Sequence, residues 1–372
     1  MSLRVLHVHS GNLYGGIETV LATLVRERAS ASLAHHFALC FGGRLADELT
    51  RLDSRVHLLG SVRLSMPDSV RRARIALRGV LTEVNPDVVV THLPWTHAVF
   101  GGTLKSAGRP VVQWVHGPLG GLVGALARLA LPDAIICNSA HTRTRLPSAY
   151  RRLPSEVIFN PLTVPRLCDG AARAAARASM GAAPGDVVIV QASRLEAWKG
   201  HREHLRALGR LSGVPNWVLW IVGGAQRPRE AAYLRELHDL ARSLGIVRRV
   251  RFAGEQDDVW RFLASADLYC QPNIGPEPFG MTYVEAMSSG LPVVASDSGA
   301  LPEIVDARTG VLVPPRDVAR LAGALRGLIE DEPMRRRLAG AARDRARALC
   351  EAPRQIQRVA RFIGTLACGS GA

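Results

Sequence analysis

The chain has 372 residues, 47% of them hydrophobic and 21% charged, with a net charge of +15. That length supports about two domains, and that balance is ordinary for a globular protein rather than a disordered or fibrous one. No run of about 18 apolar residues occurs, which argues against a membrane-spanning helix. The six cysteines are scattered without a C-x-x-C pair, which argues against zinc and against a disulfide framework.

A reducing cytoplasm suits such cysteines, and no secretory signal is expected before the first apolar run. Lysine occurs twice, at Lys105 and Lys199, among 47 basic residues. The arginine bias reads as genome composition, so a retained lysine is a candidate for chemistry. Up to residue 165, 18 basic against 10 acidic residues leave +8. That surplus suits an anionic membrane surface, an anionic acceptor or nucleic acid, and equally a plain solvated face.

Residues 3–8 predict a buried strand, followed by a loop from His9 to Gly16 and a helix from Ile17 to Arg28. Strand, glycine loop and helix is how an open α/β sheet presents a phosphate site. The spacing is not G-x-G-x-x-G, so a dinucleotide fold is not predicted. A strand at Phe37 to Phe41 leads into a polar, turn-rich stretch. Then comes a basic amphipathic helix, Asp68 to Glu83, bearing Arg71, Arg72, Arg74 and Arg78. Strands at Pro86 to His92 and Val111 to Val115 end in His92 and His116. Ligands lie outside the carboxyl ends of parallel strands, so both histidines are site candidates. The apolar, glycine-rich stretch Leu119 to Leu131 is expected to pack inside the domain, with lipid contact as the alternative. Strands at Asp133 to Cys137 and Val157 to Phe159 close this half, and Asn160-Pro161 opens a linker.

Residues 166–185 predict a helix, and Asp186 to Gln191 the first strand of a second α/β unit. Next comes Ser193-Arg194-Leu195-Glu196-Ala197-Trp198-Lys199-Gly200. Arginine clamps a diphosphate through a planar fork, and lysine supplies a point charge. Further strands are predicted at Trp217 to Val222, Val250 to Gly254 and Asp267 to Cys270, the last with Asn273 at its exit. Pro276 and Pro278 hold the next segment extended. A helix then runs from Phe279 or Gly280 to Gly290, where glycine and Pro292 stop it, and Pro292 to Ala295 is a short strand. Two carboxylates, Glu277 and Glu285, stand eight residues apart. The N–H groups of Gly280, Met281 and Thr282 make a positively polarised corner suited to an anion. Two helices at 316–348 and one at Ile356 to Leu366 end the chain.

Glu277-Pro-Phe-Gly-Met-Thr-Tyr-Val-Glu285, followed by Gly-Leu-Pro-Val-Val and Leu-Pro-Glu-Ile-Val, resembles the E-x7-E signature of the family 4 retaining glycosyltransferases. Arg194-Leu195 with Lys199-Gly200 resembles the family's second signature. Gly15-Gly16-Ile17-Glu18 resembles its first glycine loop, whose backbone approaches the donor diphosphate. The resemblance is strong over residues 186–313 and moderate over 1–20 and 110–165. It implies an α/β GT-B fold, two doubly wound α/β domains facing across a cleft. Residues 1–165 would form the acceptor-side domain, residues 166–350 would bind the nucleotide sugar, and residues 351–372 would return to the first domain.

The donor implied is a nucleoside diphosphate sugar, with no cofactor. Expelling a diphosphate demands positive charge. The resemblance assigns that to Arg194, Lys199 and the helix start at Gly280, Met281 and Thr282, in place of a metal. The absence of any D-x-D pair agrees. By the same resemblance Glu285 accepts from ribose hydroxyls, Glu277 faces the sugar hydroxyls, His116 lies near the sugar, and the exits around Asn273 hold the base. The family retains configuration without a protein-bound intermediate, and no residue here is nominated as a nucleophile. The partners implied are the nucleotide sugar and a glycan or lipid-linked acceptor. Peripheral contact with an anionic membrane is open, and nucleic acid is not expected. Three rival readings are a glycoside hydrolase, which needs two carboxylates but no diphosphate clamp, an epimerase on the same fold, which needs no acceptor, and a basic nucleic-acid binder. Base, sugar and acceptor stay unassigned.

Overall fold

The computed structural model describes residues 2–12, 14–164 and 169–369. The chain divides into two compact units, one of residues 1–163 with 350–372, the other of residues 164–349. The domain boundary expected at 165–166 and Cys168 lie outside the described residues.

The first unit holds seven strands: β1 (Leu3–His9), β2 (Leu33–Leu39), β3 (Arg55–Leu58), β4 (Val88–Thr91), β5 (Val111–Val115), β6 (Ala134–Cys137) and β7 (Ser155–Val157). They pair in parallel in the order β3-β2-β1-β4-β5-β6-β7. The second holds β8 (Val187–Ala192), β9 (Trp217–Val222), β10 (Val250–Gly254), β11 (Leu268–Gln271), β12 (Val293–Ser296) and β13 (Gly310–Val313). Their order is β10-β9-β8-β11-β12-β13, again parallel. Strands covered by helices on both faces read as unbroken apolar runs, and every residue of β4, β5 and β9 is buried. The strand order reverses between β1 and β4 and between β8 and β11. In open sheets of this kind ligands bind at such reversals, outside the carboxyl ends.

The last helix, Ala352–Gly369, buries Ile356, Val359 and Ile363 within the first unit. Arg358 anchors it, donating to Glu156 at 2.8 Å and to the Val157 carbonyl at 2.7 Å. Its start at residue 352 is earlier than the sequence pattern indicates.

Two expectations need correction. The stretch expected as turns after Phe41 holds a helix, Arg44–Arg51, and β3. Because β3 is an edge strand with half-exposed residues, it leaves no apolar run to read. The Leu119 to Leu131 stretch does not pack wholly inside. Leu119 and Ala127 are buried, but Leu122 is 77% and Leu129 81% exposed. Around the helix Gly121–Ala127, Leu122, Leu126 and Leu129 follow the i, i+4, i+7 spacing of one face, and that face points outward. No helix among the described residues is long and apolar enough to cross a membrane.

Candidate functional site

In the second unit, the loops after β8 and β11 meet at the reversal of strand order. Gly200 has φ 76°, and a Cβ there would lie 1.8 Å from the Pro272 carbonyl oxygen. Only glycine permits that approach, which explains the glycine after Lys199 in physical terms. The Ile274 N–H donates to the Trp198 carbonyl at 2.8 Å. Gln191, on β8, donates to the Lys199 carbonyl at 3.0 Å, and its other end meets His204 Nδ1 at 2.8 Å. These ties fix the backbone that carries Lys199.

The Lys199 ammonium donates to Glu277 Oε2 at 2.7 Å, and Asn273 Nδ2 donates to the same oxygen at 2.7 Å. Both charged side chains are largely buried, at 13% and 9% exposure. The ammonium also lies 3.9 Å from the centroid of the Trp198 ring, a cation–π contact. Behind Asn273, Gln271 Nε2 donates to Asn273 Oδ1 at 2.9 Å, and the Tyr269 hydroxyl donates to Gln271 Oε1 at 2.8 Å. Tyr283 donates to the Gln271 backbone carbonyl at 2.7 Å. A buried polar chain therefore holds the Glu277 carboxylate in one orientation.

Arg194 is not part of that pair. Its guanidinium is 42% exposed and lies 3.3 Å from Glu196.

Beside Glu277 the helix Met281–Ser288 begins, one or two residues later than the sequence indicates, after Gly280 in the left-handed region at φ 92°. Its first backbone bond runs from the Tyr283 N–H to the Gly280 carbonyl at 3.1 Å. The N–H groups of Gly280, Met281 and Thr282 thus precede the helical ladder, the region where a helix attracts anions. Glu285, one turn on, is 8% exposed. Burial pushes its carboxyl up to about 7, and no charge among the described residues offsets that penalty.

The first unit gathers a second set. Gly15 precedes the helix Gly16–Arg26 in extended backbone, and its carbonyl accepts from the Thr19 N–H at 3.0 Å. Glu18, in the first turn, pairs with His9 Nε2 at 2.7 Å. His116, after β5, stacks on Trp114 and lies 3.2 Å through Nε2 from His92 Nδ1. Burial, with His9 nearby, holds the His116 imidazole down to about 3, so the ring is neutral at ordinary pH. The Nδ1 atoms of His9 and His116 are buried with no partner among the described residues. His92 is completely buried and meets His116 and His7 rather than open solvent.

The structure brings Lys199, Glu277, Gly280, Met281, Thr282 and Glu285 into one corner of the second unit. Gly15, Gly16 and His116 belong to the first unit. Among the described residues no cluster of histidine, cysteine or acidic side chains is arranged to hold a metal ion. Gln191 and Gln271 were not legible as site residues. The available signal was a buried glutamine at the carboxyl end of a largely apolar strand.

Two parallel α/β units, the second with the buried Lys199–Glu277 pair and a helix start at its switch point, define the class by its fold, GT-B. Residues 14–164 match the family described as Glycosyltransferase Family 4, and residues 172–345 match Glycosyl transferases group 1. The chain is 31% identical over 268 residues to the GDP-mannose-dependent monoacylated alpha-(1-6)-phosphatidylinositol monomannoside mannosyltransferase of Corynebacterium glutamicum, covering 66% of this chain and 67% of that one. It is 42% identical over 126 residues to a phosphatidyl-myo-inositol mannosyltransferase of Mycobacterium leprae, covering 32% and 34% of the two chains. The structure of Anabaena Alr3699/HepE in complex with UDP and glucose superposes with a TM-score of 0.85 at 24% identity, over 98% of this chain and 100% of that one. The protein belongs to the family 4 glycosyltransferases and has the GT-B fold. Against the first three curated relatives the chain spans 34% to 57% of their length.

Proposed function

We propose that the protein transfers a hexosyl group, with retention and without a metal, from a nucleoside diphosphate sugar to a glycan or lipid-linked acceptor. The observation that carries this reading is the buried Lys199–Glu277 pair at 2.7 Å beside the start of the helix Met281–Ser288. As the sugar–phosphate bond breaks, negative charge grows on the diphosphate. Fixed donors aimed at that charge lower the barrier without reorganising. Lys199 and the N–H groups of Gly280 to Thr282 are such donors, and Arg194 leaves a weak surface contact with Glu196 to join them. Glu277, held in place by Lys199 and Asn273, presents its carboxylate to the sugar hydroxyls, Glu285 accepts from the ribose, and loop backbone around Asn273 meets the base. Gly15 and Gly16 give the diphosphate a close backbone approach, and His116 serves the sugar.

The test is thermal melting in EDTA with UDP-glucose, GDP-mannose and other nucleotide sugars, followed by transfer assays. One donor should raise the melting temperature, and sugar transfer should appear only when an acceptor is added. A strict need for magnesium or manganese would remove the assignment of the diphosphate to protein cations. No shift with any nucleotide sugar would remove the donor site.

A lipid-linked acceptor at an anionic membrane surface is favoured by the exposed Leu122 and Leu129 and by the helix Pro67–Val84. On that helix Arg71, Arg72 and Arg78 are exposed beside Ile75, itself 56% exposed. Arg74 is occupied, donating to the Val99 carbonyl at 2.7 Å. Each basic side chain near an anionic leaflet contributes about 1 kcal/mol, so changing three lowers the partition coefficient about 100-fold. Sedimentation with phosphatidylglycerol vesicles should show binding that falls as salt rises. It should nearly vanish when Arg71, Arg72 and Arg78 are changed together to Gln. Wild-type protein that ignores such vesicles at low salt would make a soluble acceptor the better assignment.

A further inference from the structure

Four imidazoles run in a line through the first unit. His35 on β2 meets His7 on β1, with Nδ1 and Nε2 2.9 Å apart. His7 Nδ1 meets His92 Nε2 at 2.9 Å, and His92 Nδ1 meets His116 Nε2 at 3.2 Å. His7 and His92 are 1% and 0% exposed. The two terminal atoms, His35 Nε2 and His116 Nδ1, are buried without a partner among the described residues.

Each link joins the Nδ1 of one ring to the Nε2 of the next. A neutral imidazole carries one proton, donating from one nitrogen and accepting at the other. If His35 donates from Nδ1, His7 must accept at Nε2 and carry its own proton on Nδ1, and the same follows for His92 and His116. If His116 donates from Nε2, every ring must carry its proton on Nε2. Three links and four protons therefore permit two coherent states, all Nδ1–H or all Nε2–H. A mixed pattern sets two lone pairs or two N–H groups against each other inside the core, where an unpaired polar contact is costly.

We propose that His35, His7 and His92 are positioning residues that act with His116 as one tautomeric unit, so that His116 offers either a donor or an acceptor at Nδ1 while staying neutral. An acceptor oxygen at that atom selects the all-Nδ1 state, and a hydroxyl proton selects the all-Nε2 state. Burial keeps the charged form out of reach for all four rings. Around the line, His9 is tied to Glu18 beside His92. At the other end His36 stacks on His57, with Arg55, Arg4 and Glu83 as its charged neighbours. That a donor sugar supplies the group meeting His116 rests on the function proposed above.

Two-bond proton–nitrogen NMR of the histidine rings tests both parts on the wild-type protein. Without ligand at pH 7, the four rings should report one shared tautomer, or one shared average. Mixed tautomers, or an imidazolium among the four, would overturn the unit. Addition of UDP-glucose and, separately, of GDP-mannose should move all four rings together with one of them. In His7→Phe the response should stop at His92 and leave His35 still. A response at His116 alone in the wild type would also overturn the unit. A shared tautomer that neither nucleotide sugar moves would support the unit and overturn the role of His116 at the donor.

Discussion

Lys199→Ala is expected to lower turnover by about 10²-fold or more, the scale for losing one donor that stabilises transition-state charge, and Arg194→Ala by a similar factor. The two variants should separate on stability. Lys199 shares a 2.7 Å contact with a Glu277 carboxylate that is 9% exposed. Removing one partner of a buried pair strands the other charge, at about 3–5 kcal/mol, although the Asn273 amide on the same oxygen softens that loss. Arg194 is 42% exposed against Glu196, and a contact of that kind contributes little. Melting curves should therefore drop for Lys199→Ala and stay near wild type for Arg194→Ala, while saturating-donor assays show both slowed. Lys199→Arg should not restore the rate. A planar fork replaces a point charge, and it must fit over the Trp198 ring, where the ammonium now lies 3.9 Å from the centroid. Near-normal turnover in both alanine variants would remove the diphosphate clamp.

The residues around Lys199 show what the sequence carries and what it does not. Lys199 stood out because lysine is scarce in an arginine-rich chain, and Glu277 and Glu285 because of their spacing beside Pro-Phe-Gly. These are local signals. The strands at β5 and β9 were readable to the residue because burial on both faces makes an apolar run with sharp ends. β2 was placed late, at Phe37, because His35 and His36 interrupt its run, and only pairing with β1 shows that it begins at Leu33. The residues behind Asn273 were hidden for another reason. Gln271 and Tyr269 are ordinary residues whose role comes from side-chain hydrogen bonds within residues 269–277, which depend on how that one stretch turns. The histidine line is hidden too, since His7 and His35 lie on β1 and β2 while His92 and His116 follow β4 and β5, far apart in sequence. The exposed face of Leu122, Leu126 and Leu129 was misjudged because apolar composition alone does not say which way a short helix turns.

Glu285→Gln should stabilise the free protein at alkaline pH while weakening donor binding. The folded-state carboxyl is raised to about 7 from an ordinary 4.5, with burial as the cause. Between those values the folded state holds a proton that the unfolded state has lost, so stability falls as pH rises through that window and levels off above it. The full penalty is roughly 3 kcal/mol at 1.36 kcal/mol per unit. Glutamine cannot ionise and escapes it. The variant should therefore melt well above wild type at pH 8, and the gap should close as pH falls towards 5. Donor affinity should move the other way. Ribose hydroxyls donating to a carboxylate make charge-assisted bonds worth about 1.5–3 kcal/mol, against about half that for a neutral amide. Glu285→Gln should then bind its nucleotide sugar roughly tenfold more weakly at pH 8. Wild-type affinity should rise with pH through 7, because binding favours the ionised form, and the variant's should stay flat across the same range. Melting curves and titration calorimetry between pH 5 and 8 check both arms. Parallel melting profiles for the two proteins would remove the raised carboxyl. Equal donor affinity at pH 8 would remove its hold on the ribose.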